Sequence, residues 1–233
     1  MERYENCLYR EVCTYKEDCR PACKRYAVTK YMLEHSNIPK SKWGINKLIP
    51  DNCDVTAFEV LAQIRDNIVD FTNNGNSLYI YSNGCGNGKT TWAIKLMLQY
   101  FNDVWEVTGF NNRGVFVNIN SFLYECKQAI NNPNPEFEKL KESILEVDLV
   151  IWDDISVSKM SEYDYNLLFT FINQRNFNGK ANIYTGNIFP NDLHKYLGDR
   201  LASRVLDGAK IQLRGKDKRV DDSVTSNFSN INV

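Results

Sequence analysis

The chain has 233 residues, of which 43% are hydrophobic and 24% are charged, and its formal net charge is -1. This composition is typical of one globular domain with a small appendage, and the near-zero charge excludes nucleic-acid binding through bulk positive charge. The longest apolar runs have the length of a strand, and the first residues contain no hydrophobic signal segment. We therefore expect a soluble, cytoplasmic protein.

Four of the seven cysteines lie near the start of the chain, at Cys7, Cys13, Cys19 and Cys23. Their segment is too short to bury a core, and four closely spaced thiolates are typical of a structural Zn²⁺ site, in which the metal supplies folding energy. The spacing is not the usual C-x2-C pair, so an iron–sulfur cluster and free thiols on a small helical segment stay open as alternatives. We predict a small cysteine-rich, zinc-binding module over residues 1–36.

The segment after this module predicts a domain boundary. A helical pattern ends near Ser36, and residues 38–50 are extended and polar, since a residue that precedes proline avoids the α region. We place the start of the main domain at residue 37.

A glycine-rich loop follows the apolar run that begins at Leu78, and helical apolar spacing follows the loop. Glycines between a buried strand and a helix predict a P-loop, which holds nucleotide phosphates through backbone N–H groups. We expect Lys89 to reach the β- and γ-phosphates and the Thr90 hydroxyl to bind Mg²⁺. The predicted nucleotide-binding residues of the loop are Asn83, Gly84, Cys85, Gly86, Asn87, Gly88, Lys89, Thr90 and Thr91.

One position of the loop departs from the pattern G-x-x-x-x-G-K-[ST], since Asn83 stands where the pattern has its first glycine. Asparagine tolerates a left-handed backbone better than other residues with a side chain. We therefore expect the loop to form with Asn83 in place.

A second pair of catalytic candidates ends the apolar run from Val147 to Trp152, where Asp153 and Asp154 follow one another. Two carboxylates at the end of a buried strand predict a Walker B motif, in which Asp153 holds Mg²⁺ through water and Asp154 orients or deprotonates the attacking water. Aspartate is one methylene shorter than glutamate, so we expect slow hydrolysis.

The chain between the second and third predicted strands carries more helix than a βαβ crossover needs. Residues 121–130 and 136–145 have helical patterns, and the segment from Asn131 to Pro135 separates them. An insertion of this kind is often where function is added to a fold.

The last part of the chain continues the alternation of helix and strand. A helix is predicted over residues 161–176, and the strand that follows ends at Asn187, where a polar amide could contact the attacking water or the γ-phosphate. Residues 221–233 are rich in serine and asparagine and lack periodicity, which predicts a disordered tail. The remaining elements are helices over residues 193–198 and 199–206 and a strand over residues 210–213.

Together these motifs resemble the AAA+ ATPases of the DnaC/DnaI helicase-loader group, over about residues 37–220. The resemblance implies an α/β fold, an ASCE P-loop (AAA+) three-layer αβα domain with a parallel sheet and without a helical lid. Besides the P-loop, the features that carry it are Ile38-Pro39 with Trp43, Asp153-Asp154-Ile155 with Glu162, the Ile-Asn-Gln-Arg run ending at Arg175, Thr185-Gly186-Asn187 at sensor I, the run from Gly198 to Arg204, and the run from Gly215 to Arg219.

The resemblance also implies roles for single residues. Ile38 and Trp43 would pack near the adenine. Arg204, with Arg200 as the second choice, would enter the ATP site of a neighbouring subunit, while Arg219 would touch the γ-phosphate in its own site. Hydrolysis would then depend on assembly into a ring or spiral, and the monomer would be nearly inactive. For Arg200 and Arg204, a solvated basic face with local ion pairs stays open as the alternative.

In the loader group the insert between the second and third strands meets single-stranded DNA, which would make Lys127, Lys139 and Lys141 phosphate contacts. Glu136, Glu138 and Glu142 dilute this charge, so an exposed amphipathic helix stays open as the alternative. In DnaI-like loaders the N-terminal part carries zinc and grips the helicase, which implies the same docking role for the cysteine module here.

The implied function is an ATP-dependent loader that places a DnaB-type hexameric helicase on single-stranded DNA, in a version that suits a phage or mobile element. One alternative is an IstB-like transposition ATPase, which predicts a more basic chain. The other is a nucleotide-dependent helicase adaptor or inhibitor that needs no turnover.

Overall fold

The computed structural model describes residues 7, 13, 19, 22–43, 48–155 and 160–218. Within this part the strands form one parallel sheet in the order β2-β3-β4-β1-β5. The strands are β1 Ser77–Tyr81, β2 Gly114–Asn118, β3 Leu149–Asp153, β4 Ala181–Gly186 and β5 Ala209–Gln212. The helices are α1 Lys24–His35, α2 Val55–Asp66, α3 Ile68–Asn73, α4 Lys89–Thr108, α5 Ile119–Asn131, α6 Pro135–Glu146, α7 Glu162–Phe177 and α8 Leu193–Val205.

The sheet lies between two layers of helices, as the side chains of β3 illustrate. Leu149 and Ile151 pack with apolar residues of α1 to α4 on one face, and Val150 and Trp152 pack with α5 to α8 on the other. All four side chains are fully buried. Parallel strands covered on both faces have continuous apolar sequences, which is why the run was recognisable as a strand. The predicted three-layer α/β domain with a parallel sheet is confirmed.

The strand order places the candidate residues together. In a parallel sheet all carboxyl ends lie at one edge. The P-loop leaves β1 at this edge, and β3 and β4 end there beside it, because β4 pairs with both β1 and β3.

Two helices differ in detail from their predicted extents. The helix after the P-loop was predicted to end at about Phe101, but α4 continues to Thr108, because Val104 and Trp105 extend its apolar face. It ends at Gly109, which has a φ of 61°. Within α8, Gly198 has a φ of 67° and a ψ of 160°, so the helix is interrupted where the sequence predicted two separate helices.

The helix α1 packs on the main domain, although the sequence analysis assigned it to the N-terminal module. Val28, Met32 and Leu33 are buried in the same apolar cluster as α4, and the Ser36 carbonyl accepts a hydrogen bond from the Phe116 N–H at 2.7 Å. These residues therefore belong to the core of the domain that follows. A separate module formed by the residues before α1 remains a prediction.

No helix in the described ranges has both the length and the apolar character needed to span a membrane.

Candidate nucleotide-binding site

The P-loop connects β1 to the first turn of α4, and its left-handed positions are occupied by glycines. Gly86 has a φ of 68° and Gly88 a φ of 99°, which glycine adopts without steric cost. Asn83 has no positive φ, so the tolerance of asparagine for a left-handed backbone was not the property that mattered there. The pattern's first glycine can be replaced because this position requires no special backbone conformation.

The Lys89 side chain folds back into the loop and is only 8% exposed. Its ammonium group donates to the Gly84 carbonyl at 2.7 Å, the Ser82 Oγ at 2.9 Å and the Asn87 Oδ1 at 3.2 Å. These neutral acceptors hold the charge at the N-terminus of α4, where backbone N–H groups also favour an anion. A phosphate in the loop would offer Lys89 stronger, charged acceptors.

Asp153 connects the P-loop helix to two neighbouring strands. Its Oδ1 accepts hydrogen bonds from the Thr90 and Thr185 hydroxyls, both at 2.7 Å, and its Oδ2 accepts one from the Asn118 amide at 3.4 Å. A carboxylate beside a hydroxyl offers the hard oxygen ligands that Mg²⁺ prefers. Asp153 and Thr90 therefore fit the predicted Mg²⁺ role.

Asp154 lies just beyond β3 in a left-handed conformation, with a φ of 59°. Its N–H donates to the Thr185 Oγ1 at 3.0 Å, and its Oδ2 accepts from the Asn120 amide at 3.4 Å. Burial and the charge of Asp153 raise the pKa of the Asp154 carboxyl, while Lys89 opposes this effect. A carboxylate with a raised pKa is a better proton acceptor than a free aspartate, which suits a general base.

Three polar residues of this site were given no role of their own from the sequence: Thr185, Asn118 and Asn120. Thr185 is 1% exposed and holds both acids, whereas the predicted Asn187 lies one residue past β4 and is exposed. Both Asn118 and Thr185 lie at the carboxyl end of a strand, and the rule that pointed to Asn187 could have found them.

The predicted adenine-side residues Ile38 and Trp43 contact one another. The Trp43 indole N–H donates to the Ile38 carbonyl at 3.0 Å, and Ile38 is 4% exposed. Both pack in the apolar cluster that contains Trp92 and Leu213. Their role near an adenine remains a prediction.

The two arginine-finger candidates lie on α8 and contact α7. The Arg204 Nε donates to the Asn173 Oδ1 at 2.9 Å, and the Arg200 guanidinium lies 4.5 Å from the centre of the Phe169 ring. Neither of these contacts is an ion pair, and the role of both arginines at a neighbouring subunit remains a prediction. Arg219 and the tail 221–233 lie outside the described residues.

The predicted insert between β2 and β3 is present as α5 and α6, and two of its three lysines form ion pairs. The Lys127 ammonium lies 2.8 Å from the Asp164 carboxylate, and the Lys141 ammonium lies 2.7 Å from the Glu138 carboxylate. Lys139 is exposed. For Lys127 and Lys141 these pairs favour the alternative of a folded amphipathic surface, and DNA contact by the insert remains a prediction.

All four N-terminal cysteines are described, and they are free and half-buried: Cys7, Cys13, Cys19 and Cys23. Among the described residues, no group of three or more His, Cys, Asp or Glu side chains could hold a metal ion. The Cys23 Sγ instead accepts a hydrogen bond from the Tyr26 N–H at 3.5 Å and caps α1. The structure thus gives the zinc prediction no support.

The fold and the site together define a P-loop nucleotide-binding domain of the AAA+ type, with a loop after β1, acids after β3 and a polar residue at the end of β4. Residues 40–212 match the family described as the bacterial DnaA ATPase domain, and the chain therefore belongs to this family.

Several solved structures share this fold. The DnaC helicase loader is 20% identical with a TM-score of 0.62, and the match covers 76% of this chain and 100% of that chain. DnaI is 16% identical with a TM-score of 0.59, and the match covers 77% of this chain and 96% of that chain. The replication initiator DnaA bound to AMPPCP and single-stranded DNA is 19% identical with a TM-score of 0.58. This match covers 72% of this chain and 49% of that chain. No curated protein sequence gives a significant match.

Proposed function

We propose that the chain is an ATP-dependent loader that binds a DnaB-type hexameric replicative helicase and places it on single-stranded DNA. The observation that carries the proposal is the site itself, in which Lys89, Thr90, Asp153 and Asp154 meet at one sheet edge of a DnaA-family ATPase domain. The likeness to the DnaC helicase loader supports the loading role. The likeness to DnaA bound to AMPPCP and single-stranded DNA supports both ligands.

Nucleotide binding begins in the P-loop, where the backbone N–H groups of residues Asn83 to Thr91 bind the phosphates. Lys89 would exchange its neutral acceptors for the β- and γ-phosphates, and Thr90 and Asp153 would hold Mg²⁺. When bound, Mg²⁺ neutralises charge on the phosphates. Ile38 and Trp43 lie on the adenine side.

Hydrolysis uses Asp154 as the group that orients the attacking water and accepts its proton. Asn187 contacts the water or the γ-phosphate, and Arg219 contacts the γ-phosphate within the subunit. Arg204 of one subunit completes the site of the next, so turnover requires a ring or spiral. The short reach of Asp154 keeps turnover slow.

The remaining parts of the chain have roles in docking and DNA contact. The residues before α1, which carry the four cysteines, bind the helicase, and α1 packs in the core of the ATPase domain, which extends to residue 220. Lys139 is the insert lysine available for single-stranded DNA. The protein acts in the cytoplasm, in a replicon of a phage or another mobile element.

Native mass spectrometry of the full chain with the replicative helicase of its own replicon tests this function. With ATP and Mg²⁺ we expect several copies on one helicase hexamer, and a Lys89→Ala variant should form no such complex. The absence of a complex with either ATP or ADP would refute the proposal and favour a transposase partner. An additional mass of one zinc ion per subunit would support the cysteine site.

An Asp154→Asn variant separates a loader from an adaptor. This change keeps the size of the side chain and removes the proton acceptor, so a loader that needs turnover loses helicase loading while it still binds ATP. Retained loading on a single-stranded DNA circle would instead identify a nucleotide-dependent adaptor.

A further inference from the structure

Residues 213–218, here called the strap, follow β5 and are held by two carboxylates near the start of α2. Asp54 is 2% exposed, and its two oxygens accept hydrogen bonds from the Arg214 N–H at 2.7 Å and the Gly215 N–H at 2.8 Å. The Asp51 Oδ2 accepts one from the Lys216 N–H at 3.0 Å. Three consecutive backbone N–H groups are thus bound by side chains about 160 positions earlier in the chain.

The close approach of the two carboxylates leaves no room for a side chain at position 215 while they keep their positions. A Cβ built on Gly215 would overlap the Asp51 Oδ2 and lie 2.7 Å from the Asp54 Oδ2. The Lys218 ammonium adds an anchor, since it donates to the Ile49 carbonyl. We call Asp51, Asp54 and Gly215 the clasp.

The first and last residues of the strap contact the P-loop. The Lys218 N–H donates to the Gly86 carbonyl at 3.1 Å, and the Asn87 amide donates to the Leu213 carbonyl at 3.4 Å. The Asn87 Oδ1 in turn accepts from the Lys89 ammonium at 3.2 Å. Asn87 therefore connects the strap directly to the lysine of the loop.

We propose that the clasp positions the P-loop for nucleotide by holding the strap against Gly86 and Asn87. Ordering the loop before a ligand arrives removes part of the entropy cost of binding. When Lys89 turns to a phosphate, its ammonium leaves the Asn87 Oδ1. The hydrogen bond from the Asn87 amide to the Leu213 carbonyl of the strap therefore changes when nucleotide occupies the site. The clasp residues act through the strap and are therefore positioning residues, and the inference rests on the nucleotide binding proposed above.

Titration of the full chain with a fluorescent ATP analogue and Mg²⁺ tests the clasp. In Gly215→Ala the new Cβ displaces the strap, and in Asp54→Asn an amide donor faces one of the two N–H groups. We expect each change to raise the dissociation constant about tenfold, because each leaves buried hydrogen-bonding groups unpaired. Wild-type affinity in both variants would overturn the proposal.

Two control variants separate positioning from general destabilisation. In Gly208→Ala a Cβ would overlap the Ser77 carbonyl, at the end of β1 remote from the P-loop. Asp66→Asn changes an exposed carboxylate at the far end of α2. Both should bind the analogue like the wild type, and a similar loss in Gly208→Ala would defeat the proposal.

Amide hydrogen exchange of the wild-type chain gives an independent readout, because coupling between nucleotide and strap must be reciprocal. We expect the exchange of the Arg214, Gly215 and Lys216 N–H groups to change on nucleotide binding. If nucleotide binds and these amides exchange unchanged, the clasp proposal alone is refuted. If the wild type binds no nucleotide, the proposed function fails and the clasp proposal fails with it.

Discussion

The Thr185 hydroxyl connects the two acidic residues of the candidate site. It donates to the Asp153 Oδ1 and accepts from the Asp154 N–H, and so fixes the left-handed backbone of Asp154. Residues held in such conformations cluster at functional sites, where the surrounding structure stabilises them. In the proposed ATPase, Thr185 is therefore a positioning residue for both acids.

A Thr185→Val change removes this hydroxyl and keeps the shape of the side chain. We expect kcat to fall by about tenfold or more, since a buried acceptor and a backbone donor lose their partner, while the dissociation constant for ATP changes little. Thr185→Ser should restore most of the activity. Phosphate release and nucleotide titration measure the two effects, and an unchanged kcat in Thr185→Val would contradict the assignment.

At the scale of elements, Asp164 joins α5 to the start of α7. Its side chain receives hydrogen bonds from the Ser161 N–H and hydroxyl in a capping box and forms the ion pair with Lys127. Burial raises the pKa of the Asp164 carboxyl, but the hydrogen bonds from Lys127 and Ser161 outweigh it and hold the pKa below its usual value. The ionised carboxylate therefore stabilises this junction.

We expect Asp164→Ala to lower the free energy of unfolding by about 1 to 2 kcal/mol at neutral pH, through loss of the cap. The pKa is lower in the folded than in the unfolded state, so the stabilisation is complete above the unfolded pKa of about 3.9 and disappears as the pH falls through the folded value. Urea unfolding at neutral and acidic pH measures the difference. A difference between wild type and variant that does not change with pH would contradict the assignment.

Lys127→Met provides the matched control for the same contact. The Lys127 side chain is half exposed, so replacing it should lower the free energy of unfolding less than the loss of Asp164 does. If Lys127 instead contacts DNA, the variant should bind single-stranded DNA more weakly without a loss of stability.

Arg175 joins three other segments from its position on α7 and is fully buried. Its guanidinium donates to the backbone carbonyls of Ile144 and Val147 before β3 and of Ala181 in β4, as well as to the Asn182 side chain. The amino ends of β3 and β4 are thereby held together, opposite the candidate site.

An Arg175→Met change should lower the free energy of unfolding by about 3 kcal/mol or more, because several buried carbonyls lose their donor at once. Chemical denaturation measures this loss, and Arg175→Lys should rescue only part of it, since an ammonium has fewer donors. Full stability in Arg175→Met would show that water or a local shift satisfies these carbonyls.

At the scale of the whole molecule, the proposed mechanism predicts that hydrolysis needs more than one subunit. Arg204→Ala and Lys89→Ala should each abolish turnover alone, the first by removing the finger and the second by removing the phosphate contact. An equimolar mixture should regain part of the activity, because Lys89→Ala subunits supply Arg204 to intact sites of Arg204→Ala subunits. Phosphate release by the mixture measures the recovered activity. If no activity returns, Arg204 is not the finger, and the same mixing experiment with Arg200→Ala tests the second candidate.

The sequence by itself determined the P-loop, the Asp153–Asp154 pair and the alternation of strands with helices. These features are recognisable because their residues are contiguous, and because a strand buried on both faces is a continuous apolar run, as in β3. Gly86 and Gly88 likewise adopt the positive φ that their own positions in the loop require. Local chemistry was sufficient for each of them.

Only the tertiary structure decided which distant residues meet at the site. The contact of Thr185 with Asp153 depends on β4 lying beside β3, and the contact of Asp54 with the strap joins residues about 160 positions apart. The packing of α1 on α4, and the pairing of Lys127 with Asp164, also depend on how helices cross the sheet. Local patterns carry no information on these neighbours, because strand order and helix packing are properties of the whole core.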